Sequence, residues 1–221
     1  MLDELEEDAI KEMFNLSLGH ALPTLSEMID AEIEFSTPCL EVTPTRELIQ
    51  YLEGLVGESA CVVHMAFDLL LTQRGRLLGN TLLLLRTEVL SPFLDALYGE
   101  HVPETLQGAV CEDAFTDVAD LLLYTCISTL SRLLDSEVEG KKSIFYRGDP
   151  KTWDGILSSC RQYPATKAYE GTRKDDKSIN LRIDFSVPVK NVSGSVLIWI
   201  NATDDSDLKL AVRQFITTQA C

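Results

Sequence analysis

The segment EDAIKEMFNLSLGHALPTLSEMID, residues 7–30, indicates how the chain begins to fold. At about 100° per residue in an α-helix, four residues fall within an arc of roughly 60° and form what we call the polar stripe: Asp8, Glu12, Asn15 and Gly19. Apolar residues occupy the opposite side: Ile10, Met13, Phe14, Ala21 and Met28. The spacing predicts a helix over residues 8–29 that buries its apolar face and turns the polar stripe outward.

The order of predicted elements occurs twice along the chain. Turn residues and hydrophobic patterning predict, after the first helix, an extended segment at 31–42, a short helix at 46–56, strands at 60–70 and 77–86, and a helix at 91–98. A second long helix, EDAFTDVADLLLYTCISTLSRLLD at 112–135, starts the series again. An extended segment at 136–150, a short helix at 153–159, strands at 178–189 and 194–201, and a helix at 207–220 follow it.

This repetition predicts one α+β domain over residues 1–221 that contains two internal repeats, at about 8–99 and 113–220. We expect the repeats to form a pseudo-two-fold antiparallel sheet covered by helices. Runs such as Leu82–Leu85 do not alternate between apolar and polar residues. That pattern is typical of strands covered on both faces, although a buried helix has the same pattern.

Bulk properties exclude several classes of function. The formal net charge is −16, which disfavours binding to nucleic acid or to an anionic membrane surface. No apolar stretch is long enough to cross a bilayer, and no basic segment followed by an apolar one marks a secretory signal. We therefore expect a cytoplasmic protein without membrane insertion. The six cysteines form no CxxC pair, and no set of residues has metal-ligand spacing, so no metal site is predicted.

The polar stripe has two interpretations from its spacing alone. A charged outer face is the usual surface of a packed helix. Two features favour a contact surface instead. Asparagine is a modest helix former, and no lysine lies four residues after Asp8 or Glu12 to offset their charges.

The stripe also carries a resemblance to a known family. Asp8, Glu12 and Asn15 have the pattern D-x3-E-x2-N, and Pro38 follows after a gap of 22 residues. This pattern, its continuation GHALPTLSEMI at 19–29 and the repeated layout together resemble the CheC/CheX/FliY family of chemotaxis phosphatases. Because the layout is duplicated, the CheC type fits better than the shorter CheX type.

The resemblance implies a CheC-like fold and hydrolysis of the aspartyl-phosphate of a CheY-type response regulator. Asn15 would orient the attacking water and Glu12 would pair with the regulator's active-site lysine, with Asp8, Gly19 and Pro38 in support. The chain would need no cofactor of its own, since the Mg²⁺ would belong to the regulator. A phosphorylated regulator and a chemotaxis deamidase are the expected partners, and a monomer is the expected state.

The second helix carries an altered copy of the pattern. Asp113, Asp117 and Asp120 have the same spacing, and Ser143 takes the place of the proline. An aspartate has a shorter reach than glutamate, and its carboxylate has no N–H to donate at the water-orienting position. We therefore expect the second site to be degenerate. Loss of the pattern in one copy also supports the alternative that the whole chain is a non-catalytic module that docks a regulator or a flagellar partner.

Overall fold

The computed structural model describes residues 2–44, 47–57, 59–71, 76–153, 156, 177–201 and 205–219. The first half contains α1 (Glu4–Ile29), β1 (Glu34–Phe35), β2 (Cys39–Pro44), α2 (Leu48–Val56), β3 (Ala60–Leu71), β4 (Arg76–Arg86) and α3 (Leu90–Tyr98). The second half contains α4 (Glu104–Leu133), β5 (Ser136–Gly140), β6 (Ile144–Gly148), β7 (Lys177–Val187), β8 (Val192–Asn201) and α5 (Asp205–Gln219). Most of the short helix predicted at 153–159 lies outside the described residues.

All the strands within the described residues belong to one antiparallel sheet, which confirms the predicted α+β class. Its order is β1-β7-β8-β4-β3-β5, with β2 also paired to β7 and β6 also paired to β3. The centre of the sheet is the pairing of β4 with β8, in which Leu82 lies opposite Leu197. The two long hairpins, β3–β4 and β7–β8, therefore meet side by side along their second strands.

The two halves exchange their edge strands. β1 and β2 follow the first long helix but pair with β7 of the second half. β5 and β6 follow the second long helix but pair with β3 of the first half. Each half therefore completes the edge of the other half's hairpin, and neither half holds a complete sheet.

Apolar residues cover both faces of the sheet, as the non-alternating runs predict. On one face, α1, α3, α4 and α5 pack against strand residues in a large core that includes Phe14, Phe115 and Val63. On the other face, Leu52 of α2 and Trp153 cover a smaller core with Leu82 and Trp199. The long helices are thus held against the sheet on one side only, and their other sides face outward.

A glycine recurs at the matching position of each hairpin because an aromatic ring lies over it. Gly79 pairs with Phe67 across β3 and β4, and Gly194 pairs with Phe185 across β7 and β8. A Cβ at Gly194 would stand 2.6 Å from Cζ of Phe185, and a Cβ at Gly79 would collide with the ring of Phe67. A side chain at either position would displace the ring.

Two helices start earlier than predicted. α1 begins at Glu4 because Asp3 and Glu6 form a capping box, in which each side chain accepts a hydrogen bond of 2.9 Å from the other residue's backbone N–H. α4 begins at Glu104, directly after Pro103, rather than near residue 112. A proline inside a helix would break it, but a proline is compatible with the start of a helix. Cys111, at the end of the added segment, is buried in the core.

Candidate functional site

The polar stripe lies on the outward side of α1. Asp8, Glu12, Asn15 and Gly19 are all exposed. The opposite side of the helix is in the core, where Ile10, Met13 and Phe14 are each at most 2% exposed. The helical spacing therefore places a carboxylate and a carboxamide one turn apart on an open surface.

Glu12 and Asn15 have no side-chain hydrogen bond or ion pair with the part of the chain that the structure describes. Asp8 differs, because its Oδ1 lies 3.7 Å from Nζ of Lys11. Lys11 follows Asp8 by three residues, whereas the sequence analysis considered only lysines four residues after the acidic side chains. Asp8 is therefore partly offset in charge, while Glu12 and Asn15 remain available to a partner.

The surface beside Asn15 is open. Apart from the residues next to Gly19 and the nearby backbone of α1, the described residues have no heavy atom within 4 Å of the position that a Cβ on Gly19 would take. The neighbouring His20 turns back along the helix, with its Nδ1 2.7 Å from the carbonyl oxygen of Leu16. Another protein's backbone or side chains can therefore approach the helix closely at this point.

Pro38 lies elsewhere in the architecture. It is buried, between the end of β1 and the start of β2. A proline has no N–H to donate to a strand ladder, so it suits this interruption of the sheet edge. Pro38 therefore does not share the exposed surface of the stripe, and any support it gives acts through the shape of the edge segment.

Two exposed leucines lie next to the polar stripe, and the sequence analysis did not identify them as part of the surface. The exposed fraction is 62% for Leu5 and 37% for Leu16. On the helical projection both lie within roughly 40° of Glu12, on the side away from Asn15. The signal was present in the spacing, since both fall outside the apolar face. They give a docking partner apolar area next to the polar stripe.

A buried carboxylate fixes the start of α1 to the last helix. Glu6 is 1% exposed, and its Oε1 accepts a 2.7 Å hydrogen bond from Nε of Arg213 in α5. Arg213 also lies 3.7 Å from Asp3, the capping residue. This contact orients the turn that precedes Asp8 and is a further feature that the sequence reasoning missed.

The second copy of the pattern has a different surface. Asp113 and Asp117 are exposed on α4, but Asp120 is only partly exposed. The position that matches Gly19 holds Tyr124, which is 54% exposed and stands where the first copy is open. One contact recurs in both copies: Oγ1 of Thr125 donates a 2.7 Å hydrogen bond to the carbonyl oxygen of Leu121, and Nδ1 of His20 lies 2.7 Å from the carbonyl oxygen of Leu16.

Comparison with known proteins identifies the architecture. No family model matches the sequence. FliY from Thermotoga maritima is 16% identical, with 99% of this chain and 98% of that chain covered and a TM-score of 0.68. CheX from Borrelia burgdorferi, solved with CheY, BeF3 and Mg²⁺, is 15% identical, with 86% and 96% covered and a TM-score of 0.50. The chain has the fold of the CheC/CheX/FliY family.

The same CheC-like fold also occurs in the middle domain of FliM from H. pylori, which is 8% identical, with 95% of this chain and 99% of that chain covered and a TM-score of 0.58. Within the described residues of the CheC-like chain, no cluster of His, Cys, Asp and Glu side chains is placed to hold a metal ion. None of the described helices combines the length and the apolar character that spanning a membrane requires.

Proposed function

We propose that the chain is a protein phosphatase that hydrolyses the aspartyl-phosphate of a CheY-type response regulator, with its working site on α1. One observation carries the proposal. Glu12 and Asn15 lie one turn apart, exposed, on a helix whose other side is fixed in the core. This surface can enter a cleft in another protein without rearrangement of the chain.

In this mechanism Asn15 positions the attacking water. A carboxamide can accept a hydrogen bond from water through its oxygen and donate one through its nitrogen. It adds no negative charge beside the phosphoryl group, which a carboxylate would. Because catalysis of phosphoryl transfer is largely positioning and electrostatics, an oriented water in line with the scissile bond accelerates hydrolysis.

Glu12 sets the register of the complex. Its carboxylate would form a charge-assisted hydrogen bond with the regulator's active-site lysine, a contact that is both stronger and more directional than a neutral one. Asp8 would add negative charge toward the same basic region, and Gly19 would leave room for the partner's surface. The chain supplies no metal in this scheme, and the Mg²⁺ that assists phosphoryl chemistry would be held by the regulator.

The structural neighbours support this class of partner. CheX from Borrelia burgdorferi is solved in complex with CheY. By analogy, the regulator would approach the exposed side of α1, where Leu5 and Leu16 add apolar contact area. The overall negative charge of the chain favours a partner that presents a basic surface.

A second candidate function is a binding module without hydrolytic activity. The FliM middle domain shares the fold, and the second copy on α4 has lost the Glu and Asn of the pattern. In this alternative the stripe on α1 recognises the activated regulator and leaves its phosphoryl group intact.

Turnover distinguishes the two candidates. A phosphorylated CheY-type regulator is mixed with a tenth of its molar amount of the chain, and loss of aspartyl-phosphate is followed with time. A phosphatase clears the whole pool faster than the regulator alone does, whereas a binding module leaves the rate unchanged. The double variant Glu12→Ala/Asn15→Ala should lose the acceleration. The matched control, Thr24→Ala/Glu27→Ala, removes two exposed side chains of the same helix outside the stripe and should keep it.

A further inference from the structure

A row of six residues follows the outward side of α1 at alternating spacings of four and three residues. We call it the α1 seam, and it consists of Leu5, Ala9, Glu12, Leu16, Gly19 and Pro23. At about 100° per residue, these positions fall within an arc of roughly 80°. All of them except Ala9 are exposed. The same spacing marks the core positions of a coiled coil, where a second helix packs along the first.

The composition of the α1 seam is unusual for the exposed side of a packed helix. Such a side normally carries charged and polar residues, but Glu12 is the only charged residue of the seam. Leu5 is 62% exposed, and the space around Gly19 is open. The opposite side of α1 is already buried in the core. The seam therefore presents an apolar contact surface that the described residues do not cover.

The pattern recurs on α4, at the six positions that match the α1 seam. They are Val110, Ala114, Asp117, Leu121, Tyr124 and Ser128. In both helices the second position is a buried alanine, the third an exposed acid and the fourth a leucine of nearly equal exposure, 37% for Leu16 and 36% for Leu121. The copies differ at the fifth position, because Tyr124 is 54% exposed where α1 has Gly19. A second helix can therefore approach α1 closely, whereas Tyr124 obstructs the same approach to α4.

The charge in the middle of the α1 seam selects the kind of partner. A protein that covers the seam removes the carboxylate of Glu12 from water, so it must supply a cation to that carboxylate. A second copy of α1 does not supply one. Lys11 is the only lysine or arginine in α1, and its Nζ lies 3.7 Å from Oδ1 of Asp8. The seam therefore fits a different protein, with an apolar surface and a lysine beside it.

We propose that the α1 seam docks a helix of the CheY-type regulator, and that Leu5 and Leu16 are its docking residues. The identity of the partner rests on the proposed function, in which a lysine of the regulator pairs with Glu12. The two leucines would pack on the partner helix at either side of Glu12, and Gly19 would let that helix approach closely. Asn15 lies about 80° from the centre of the seam, so it stays outside the helix contact and can reach the phosphoryl group.

Titration of the full chain with a beryllofluoride-activated CheY-type regulator tests the docking residues. Leu5→Ala/Leu16→Ala should weaken binding about 10-fold or more, because it removes the apolar contact. The matched control, Val110→Ala/Leu121→Ala, truncates the corresponding positions of α4 and should bind within about twofold of wild type. Equal affinities of the two double variants, or no binding by wild type, would overturn the proposal.

Gly19→Tyr gives α1 the residue that obstructs α4. It should weaken binding of the activated regulator about 10-fold or more, whereas Gly19→Ala should weaken it less than about threefold. Both variants should remain folded, since the site is open and glycine is a poor helix former. Thermal unfolding checks this. Wild-type affinity in a folded Gly19→Tyr chain would contradict close approach at the α1 seam.

Dephosphorylation kinetics separate docking from chemistry. Leu5→Ala/Leu16→Ala should raise the regulator concentration for half-maximal rate about 10-fold and leave the maximal rate within about twofold, because the leucines do not contact the attacking water. A lower maximal rate at an unchanged half-maximal concentration would contradict a docking role. Absence of acceleration by wild type would overturn the proposed phosphatase function alone, since the titrations with activated regulator do not depend on hydrolysis.

Discussion

Glu12 is exposed on a helix that packs on the core, and its carboxylate forms no ion pair with the described residues. In the proposed complex its carboxylate pairs with a lysine of the regulator, so Glu12→Gln should weaken binding of the regulator about 10-fold at low salt. The loss should shrink at high ionic strength, because salt screens the contact that the variant removes. Titration of a beryllofluoride-activated regulator at two salt concentrations measures both effects.

Glu27→Gln is the control for Glu12→Gln. Glu27 is exposed on the same helix, but it lies outside the polar stripe. The substitution Glu27→Gln changes the net charge of the chain by the same amount as Glu12→Gln. Equal losses of affinity in the two variants would mean that the overall charge matters and that Glu12 has no specific contact.

His64 makes the stability of the sheet depend on pH. It is 2% exposed in β3, and its Nε2 lies 2.8 Å from Oδ1 of Asn80. Burial lowers the pKa of the imidazole below its usual value of 6.5, and the hydrogen bond to Asn80 opposes this only in part. The unfolded chain therefore takes up a proton at this residue more readily, and stability falls as the pH drops through 6.5.

The His64 contribution can be isolated by substitution. Between pH 7.5 and pH 5.5, His64→Gln should lose less free energy of unfolding than wild type does, with a difference of about 1 kcal/mol per pH unit at most. Urea denaturation at the two pH values measures it. The exposed His20, changed to Gln, should leave the wild-type dependence intact. Parallel pH dependences in wild type and His64→Gln would refute the assignment.

At the scale of elements, the contact between α1 and α5 holds in place the helix that carries the proposed site. Arg213 satisfies the buried carboxylate of Glu6. Arg213→Ala leaves that carboxylate without its charged partner and should lower the free energy of unfolding by about 1–3 kcal/mol. Chemical denaturation measures the change, with the neighbouring exposed Gln214→Ala as a control. A loss in Arg213→Ala no larger than in Gln214→Ala would mean that water replaces the guanidinium without cost.

The elements were largely predictable because their signals are local. The helical period located α1, and turn residues located both hairpins. The exposure of the stripe also follows from the period alone, since every third or fourth residue of α1 is apolar. The start of α4 was missed because residues 104–111 contain few periodic apolar positions. The contact of Glu6 with Arg213 was not predictable, because it joins residues that are 207 positions apart.

The site of the second copy was predictable only in part. Its three aspartates follow from the same spacing as the polar stripe. The burial of Ser143 near them does not, because it depends on the packing of β5 and β6 beside α4. The roles of Glu12 and Asn15 remain predictions that rest on the resemblance and on the open surface around them.

At the scale of the whole molecule, the exchange of edge strands makes the two halves depend on each other. β1 and β2 lie on β7, and β5 and β6 lie on β3. The sequence pattern gives strand positions but not partners, so this exchange could not be predicted. Fragments 1–101 and 102–221, expressed separately, should each show no cooperative thermal unfolding by circular dichroism. Together they should regain it. Cooperative unfolding of either fragment alone would show that the halves are independent units.

The central claim is that Asn15 acts on the reaction rather than on binding, and hydrolysis within the saturated complex tests it most directly. A phosphorylated CheY-type regulator is mixed with excess chain, and the first-order loss of aspartyl-phosphate is recorded for wild type and for Asn15→Ala. The account predicts a rate about 100-fold lower for Asn15→Ala, with affinity for the activated regulator changed by less than about threefold. An equal rate in the saturated complexes of wild type and Asn15→Ala would contradict it.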